Sequence, residues 1–110
     1  MRTELQKTWN CKVYDVYGLS EMGTAIATEC EVQNGLHINE VSVFTEVVNP
    51  ETEKVLGKGS VGELVFTSLG RKGRPLIRYK SRDLSKLIDE PCSCGALVVR
   101  RIGRVKRITA

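Results

Sequence analysis

A chain of 110 residues, 41% of them hydrophobic and 27% charged, is sized for one domain or a piece of one and is too apolar for a disordered segment. Seventeen Lys and Arg against thirteen Asp and Glu leave a net charge of +4, which suits a polyanionic ligand without demanding nucleic acid. No apolar run approaches ~18 residues and the opening MRTELQKTWN has no apolar export core, so a cytoplasmic chain that does not cross a membrane is expected.

Residues 3–10 read as a short helix, with Leu5 and Trp9 on one face at i, i+4. Residues 12–17, KVYDVY, alternate apolar and polar and read as a strand that Gly18 ends. A second strand is expected over 24–30, followed by the turn Asn34-Gly35 and the apolar triplet at 36–38. Residues 41–48 and 63–68 are strands, separated by a turn at 49–52, a short return at 54–56 and a loop at 57–62. A basic, glycine-bearing loop at 69–74 precedes two further strands, at 76–79 and 84–88. A tight knuckle at 91–95 and a last strand at 96–102 complete the pattern. Many short strands behind one helix predict a mainly β chain, α+β in class, whose body is a small β-barrel-like or sandwich subdomain. Three stretches follow: 1–23 with helix, strand and turn, 24–88 as β-rich body, and 89–110 with knuckle and last strand.

Two segments carry more chemistry than a β scaffold needs. In 15–23, DVYGLSEMG, a strand delivers an aromatic ring, a glycine turns the backbone, and a hydroxyl and a carboxylate follow. Backbone amides at such a turn can face an anion, and the carboxylate suits a hard cation such as Mg2+. A plain strand end with a polar turn would look the same. In 78–84, RYKSRDL, a carboxylate sits among cations. An ionised carboxylate only accepts, so it can take both hydroxyls of a cis-diol. A salt-bridged surface strand is the alternative.

Read together, the two segments resemble a family. Tyr17-Gly18-Leu19-Ser20-Glu21 is similar to the YGxTE motif of the adenylate-forming enzymes, the acyl-CoA synthetase and luciferase superfamily. Tyr79-Lys80-Ser81-Arg82-Asp83-Leu84 is similar to its YRTGDL motif, and Gly103-Arg104-Val105-Lys106 to the start of its hinge motif. Arg82 in place of Gly, with GELVFT, PLIRY and PCSCG, resembles the phenylacetate–CoA ligase branch.

The resemblance implies roles. Tyr17 would stack on adenine, with Asp15 near the adenine amino group and Gly18 turning the chain. Ser20 would contact the α-phosphate and Glu21 would hold Mg2+ as the catalytic carboxylate. Asp83 would bind the ribose hydroxyls, Arg104 the ribose or phosphate, and Lys106 would stand at the hinge between domains. ATP or AMP, CoA and a small carboxylic acid would be the partners of an intact ligase. The phosphate loop and the catalytic lysine of the family would lie outside this chain, making it an internal fragment, silent on its own. A related adenylylating enzyme acting on a deazaflavin coenzyme is the nearest alternative.

Cys30, His37, Cys92 and Cys94 offer three thiolates and the chain's single imidazole, a Cys3His set of the kind that holds structural zinc. Idle or buried thiols with a solvated His are the alternative. Cys11 reads as a core thiol. The basic residues Arg71, Lys72, Arg74, Arg78, Lys80 and Arg82 also permit a zinc-stabilised nucleic-acid-binding module. Only six aromatics occur in the chain and Tyr79 alone stands within this run, which argues against a stacking platform.

Overall fold

The computed structural model describes residues 1–96 and 100–108. Helix α1 (Arg2–Trp9) leads into nine strands: β1 (Val16–Leu19), β2 (Thr24–Glu29), β3 (Leu36–Ile38), β4 (Val43–Val48), β5 (Gly62–Ser68), β6 (Tyr79–Ser85), β7 (Leu87–Ile88), β8 (Arg101–Ile102) and β9 (Lys106–Arg107). A 3-10 turn, Ser20–Met22, joins β1 to β2. The strands form two antiparallel sheets, in the orders β1-β2-β3-β8-β7 and β4-β5-β6-β9. This is the mainly β chain with a short N-terminal helix that the strand pattern implies.

Alternation explains the core. In β4 the buried Val43, Thr45 and Val47 alternate with the exposed Phe44 and half-buried Glu46, the period-2 pattern of a half-buried strand, until Val48 is buried as well. β5 is buried along most of its length, so both of its faces are covered. Ile26, Leu36, Ile38, Val47, Leu64, Phe66 and Ile102 meet in one cluster, with Met22 from the 3-10 turn at its edge. Each contributes about 1.5–3 kcal/mol by leaving water.

The helix is held by polar contacts instead of an apolar face. None of its residues is buried, and Trp9 is 72% exposed. The Arg2 guanidinium donates to both carboxylate oxygens of Glu29, at 2.7 and 2.9 Å. Asn10 takes the left-handed conformation that ends the helix. Cys11 follows it and is exposed, not a core thiol, because the chain is still leaving the helix there.

Three strand expectations shift. Residues 12–15 stay outside the ladder because side chains take their amides: Val13 N–H donates to Gln6 Oε1 and Asp15 N–H to Glu29 Oε1. β1 instead runs through Gly18, with an irregularity at Tyr17/Gly18 that leaves Ile26 of β2 unpaired. Residues 76–78 are not a strand. Ser68 Oγ accepts from Leu76 N–H and Thr67 Oγ1 from Arg78 N–H, and Arg78 has φ +50°. The strand expected at 84–88 is two elements. Ser85 pairs with Gly62 in one sheet and Leu87 with Ile102 in the other, so the chain changes sheets across Lys86. Of the last strand, Arg101 and Ile102 are seen in the ladder, while 97–99 lie outside the described residues.

Candidate nucleotide site and a cysteine–histidine cluster

β5 and β6 diverge from plain register at one place. Glu63 pairs with Leu84 and Val65 with Lys80, so Leu64 faces three residues of β6. Such a bulge turns side chains inward. Arg82, at its centre, has φ +62°, a backbone region that favours glycine. Its amide donates to the buried Glu63 carboxylate at 2.9 Å. On either side of it, Ser81 and Asp83 are both only 5% exposed. Ser81 Oγ donates to the Leu64 carbonyl and accepts from Asp83 N–H. The bulge therefore presents Asp83 to the interior edge of the sheet.

Across 66 residues of sequence, the Tyr17 hydroxyl donates to Asp83 Oδ2 at 2.6 Å. Tyr17 is half-buried against Phe66, ring centroids 6.0 Å apart. Its phenol is pushed well above its usual range, first by burial and then by the hydrogen bond to Asp83. Asp83 Oδ1 accepts from Arg107 Nη1 at 3.0 Å, a residue that β9 sets directly opposite Asp83. The Arg107 side chain remains 64% exposed.

The remaining candidates fall around this centre. Glu21 and Ser20 sit exposed on the 3-10 turn. Tyr79 is raised in pKa by burial and then by the negative charge of Glu21 beside it. Arg71 Nη1 donates to the Glu21 carbonyl at 2.7 Å, docking the basic loop on that turn. Gly18 lies in β1 next to the bulge of β2. Asp15 and Arg104 are not hydrogen-bonded to the Tyr17–Asp83 pair. They line a separate open cleft of about 650 Å3 together with Arg2, Glu29 and Lys86. Lys106 is exposed, opposite Leu84. Of the basic run, Arg78 pairs with Glu46 at 3.0 Å and Lys80 with Glu53 at 2.7 Å.

Arg107 is the member that sequence reading misses. A carboxylate buried in a strand needs a cation or donors around it, but several cations could have met that need and only strand pairing selects one.

The second gathering is at the other sheet. The Cys30 carbonyl accepts from Gln33 N–H in the turn after β2, and His37 lies in β3. Cys92 and Cys94 lie in the knuckle between β7 and β8, closed by Gly95 N–H on the Cys92 carbonyl at 3.2 Å. β8 pairs with β3, and that pairing brings hairpin and knuckle together. The four ligand atoms all lie within 4.8 Å of one another. Cys30 Sγ is 3.7 Å from Cys92 Sγ, and Cys94 Sγ is 3.5 Å from His37 Nε2. Burial first, and then the Arg101 guanidinium, hold the His37 imidazole below its usual pKa. The Cys92 thiol is lowered chiefly by the backbone N–H of Cys94.

The chain is 39% identical over 107 residues to phenylacetate-coenzyme A ligase of Pseudomonas putida, a match covering 96% of this chain and 24% of that protein. It is 41% identical over 102 residues to the enzyme of the same name from Thermus thermophilus, covering 91% and 23%. This chain resembles phenylacetate-coenzyme A ligase over about a quarter of that enzyme's length. A 2-hydroxyisobutyryl-CoA ligase solved in complex with 2-HIB-AMP and CoA superposes with a TM-score of 0.86 at 26% identity, covering 96% of this chain and 23% of that one. The same ligase in its postadenylation state gives 0.82 at 27% identity, covering 94% and 23%. The fold is thus that of a subdomain of adenylate-forming CoA ligases. No protein-family model matches the chain.

Proposed function

We propose that this chain is the nucleotide-facing β subdomain of an AMP-forming acyl- or aryl-CoA ligase like phenylacetate-coenzyme A ligase. The observation that carries this reading is the Tyr17–Asp83 hydrogen bond of 2.6 Å. It joins two motif segments that resemble the family's adenine and ribose contacts. In the intact ligase, a carboxylate of the acid attacks the α-phosphorus of ATP, giving acyl-AMP and pyrophosphate. The CoA thiol then attacks the acyl carbon and AMP leaves.

The chain's own residues would orient the nucleotide. The half-buried Tyr17 ring would receive adenine. Ser20 would donate to the α-phosphate. Asp83 would fix the ribose through its carboxylate, which offers about four acceptor positions. Tyr17 and Arg107 occupy one on each oxygen, so the exposed Arg107 would have to yield or share Oδ1 when the diol arrives. Arg104 would act from the adjoining cleft, and Lys106 would mark the hinge. Glu21 presents an exposed carboxylate, an oxygen donor of the kind Mg2+ takes, and the ion when bound would neutralise phosphate charge.

The test is Asp83→Ala in a ligase of full family length that carries this segment. ATP affinity should fall by about 1.5–3 kcal/mol, roughly 10- to 150-fold, measured by calorimetry with folding checked by thermal melting. A folded variant that binds ATP as tightly as the parent would refute the assignment.

A further inference from the structure

We propose that Cys30, His37, Cys92 and Cys94 form a closed, structural zinc site. Thiolate sulfurs at ~2.3 Å and an imidazole nitrogen at ~2.0–2.1 Å around one tetrahedral ion stand about 3.8 Å apart as a sulfur pair and about 3.6 Å as a sulfur–nitrogen pair. The Cys30–Cys92 separation is 3.7 Å and the Cys94–His37 separation 3.5 Å. Both fit edges of that tetrahedron, and all four donor atoms fall within 4.8 Å of one another. A simple thiol pair would need neither the second cysteine of the knuckle nor the imidazole.

Charge supplies an independent argument. Arg101 is 4% exposed and sits directly across from His37 in the β3–β8 pair. Its guanidinium donates to the carbonyls of Asn34 and Glu90, and its Nε has no partner among the described residues. No carboxylate of the described residues pairs with it. A buried cation without a counter-charge is costly. Three thiolates and one neutral imidazole around Zn2+ carry a net charge of −1, and that complex would lie beside Arg101.

The four protein donors leave no coordination position open, so the ion has a structural role. β7 and β8 have two residues each, too short to hold a sheet edge by pairing alone. A clip from the β2–β3 hairpin to the knuckle would secure that edge. Its binding free energy would then be part of the folding free energy.

The experiment uses the 110-residue chain purified under reducing conditions without chelator. One zinc per chain is expected by elemental analysis. After stripping, Co2+ should saturate at one equivalent, with thiolate charge-transfer bands and the strong visible bands of a tetrahedral ion. Chelation should lower the melting temperature by at least ~10 °C. Cys92→Ser should abolish stoichiometric binding and Cys11→Ser should leave it intact. Loss of buried Cys92 can unfold the chain by itself, so His37→Cys supplies the second variant. It should still bind one Co2+, with stronger charge-transfer absorption from the added thiolate. Less than half an equivalent of metal on the parent chain, or a weak octahedral Co2+ spectrum, would overturn the site. An unchanged spectrum in His37→Cys would overturn the four-ligand set.

Discussion

Asp83 shows how a single residue can be read correctly for type and incompletely for surroundings. Its carboxylate is buried and serves two donors, the Tyr17 hydroxyl and the Arg107 guanidinium. The effect on Tyr17 is measurable. Burial first, and then the hydrogen bond to Asp83, raise the phenol in the folded chain above the ~10 of an unfolded one. The unfolded state therefore releases this proton first as pH rises. The stabilisation is fully present below about pH 10 and is lost progressively above it. Phenolate absorbance of the three tyrosines should rise late for both Tyr17 and Tyr79, and Tyr17→Phe should remove its share of that late change. The same variant should flatten the alkaline decline in stability. A late absorbance change of undiminished amplitude in Tyr17→Phe would mean that the Tyr17–Asp83 bond is misplaced.

Among the elements, β5 and β6 decide where chemistry can sit. Gly62 opens β5 at a point where a Cβ would stand 2.5 Å from the Val48 carbonyl oxygen and 2.7 Å from Leu56 Cδ1. The first of these is backbone in the neighbouring strand and cannot rotate away. Gly62→Ala should therefore cost about 1–3 kcal/mol, the range for overpacking a filled interior, read as a lower denaturant midpoint with an unchanged slope. A variant within ~0.5 kcal/mol of the parent would mean that β4 and β5 can separate at that end. The bulge one residue further on has the opposite character. There the backbone departs from register, Arg82 accepts a left-handed conformation, and the Glu63 carboxylate satisfies its amide. Arg82 stands where the resembled YRTGDL motif carries glycine, and the Glu63 carboxylate accepts from its amide.

At the scale of the molecule, two sheets share one core, and the chain passes between them at 39–42, at Lys86 and again at 103–105. Among the described residues, no helix is long and apolar enough to cross a membrane. The chain spans about a quarter of its curated relatives, and the residues it contributes orient a nucleotide in the proposed ligase. Most of the barrier to adenylation is lowered by preorganised charge at the transferring phosphoryl group. The resemblance assigns this task to a phosphate loop and a lysine that are not among the motif segments of this chain. Incubated alone with ATP, Mg2+, phenylacetate and CoA, it should release no pyrophosphate above background. Turnover that co-purifies with the chain and is abolished by Asp83→Ala would show that these residues do more than orient.

The amino-acid sequence by itself determined the local facts. Residues 41–48, VSVFTEVV, and 63–68, ELVFTS, read as strands from their β-branched and aromatic residues. Asn34-Gly35 specifies a turn, with Gly35 at φ +85°, because such a backbone suits glycine. The motif segments around Tyr17 and Asp83, and the set of three cysteines and a histidine, were legible as residue types in a recognisable order. Only the tertiary structure decided which distant groups meet. That Arg107 answers Asp83, that Asp15 and Arg104 share a cleft away from Tyr17, and that Cys11 is exposed while Cys92 is buried are outcomes of how the elements pack together. The sheet change at Lys86 and the pairing of β8 with β3 are likewise invisible to any local pattern. Periodicity reports which way a side chain faces, whereas partner choice between strands 60 or more residues apart depends on the packing of the whole core.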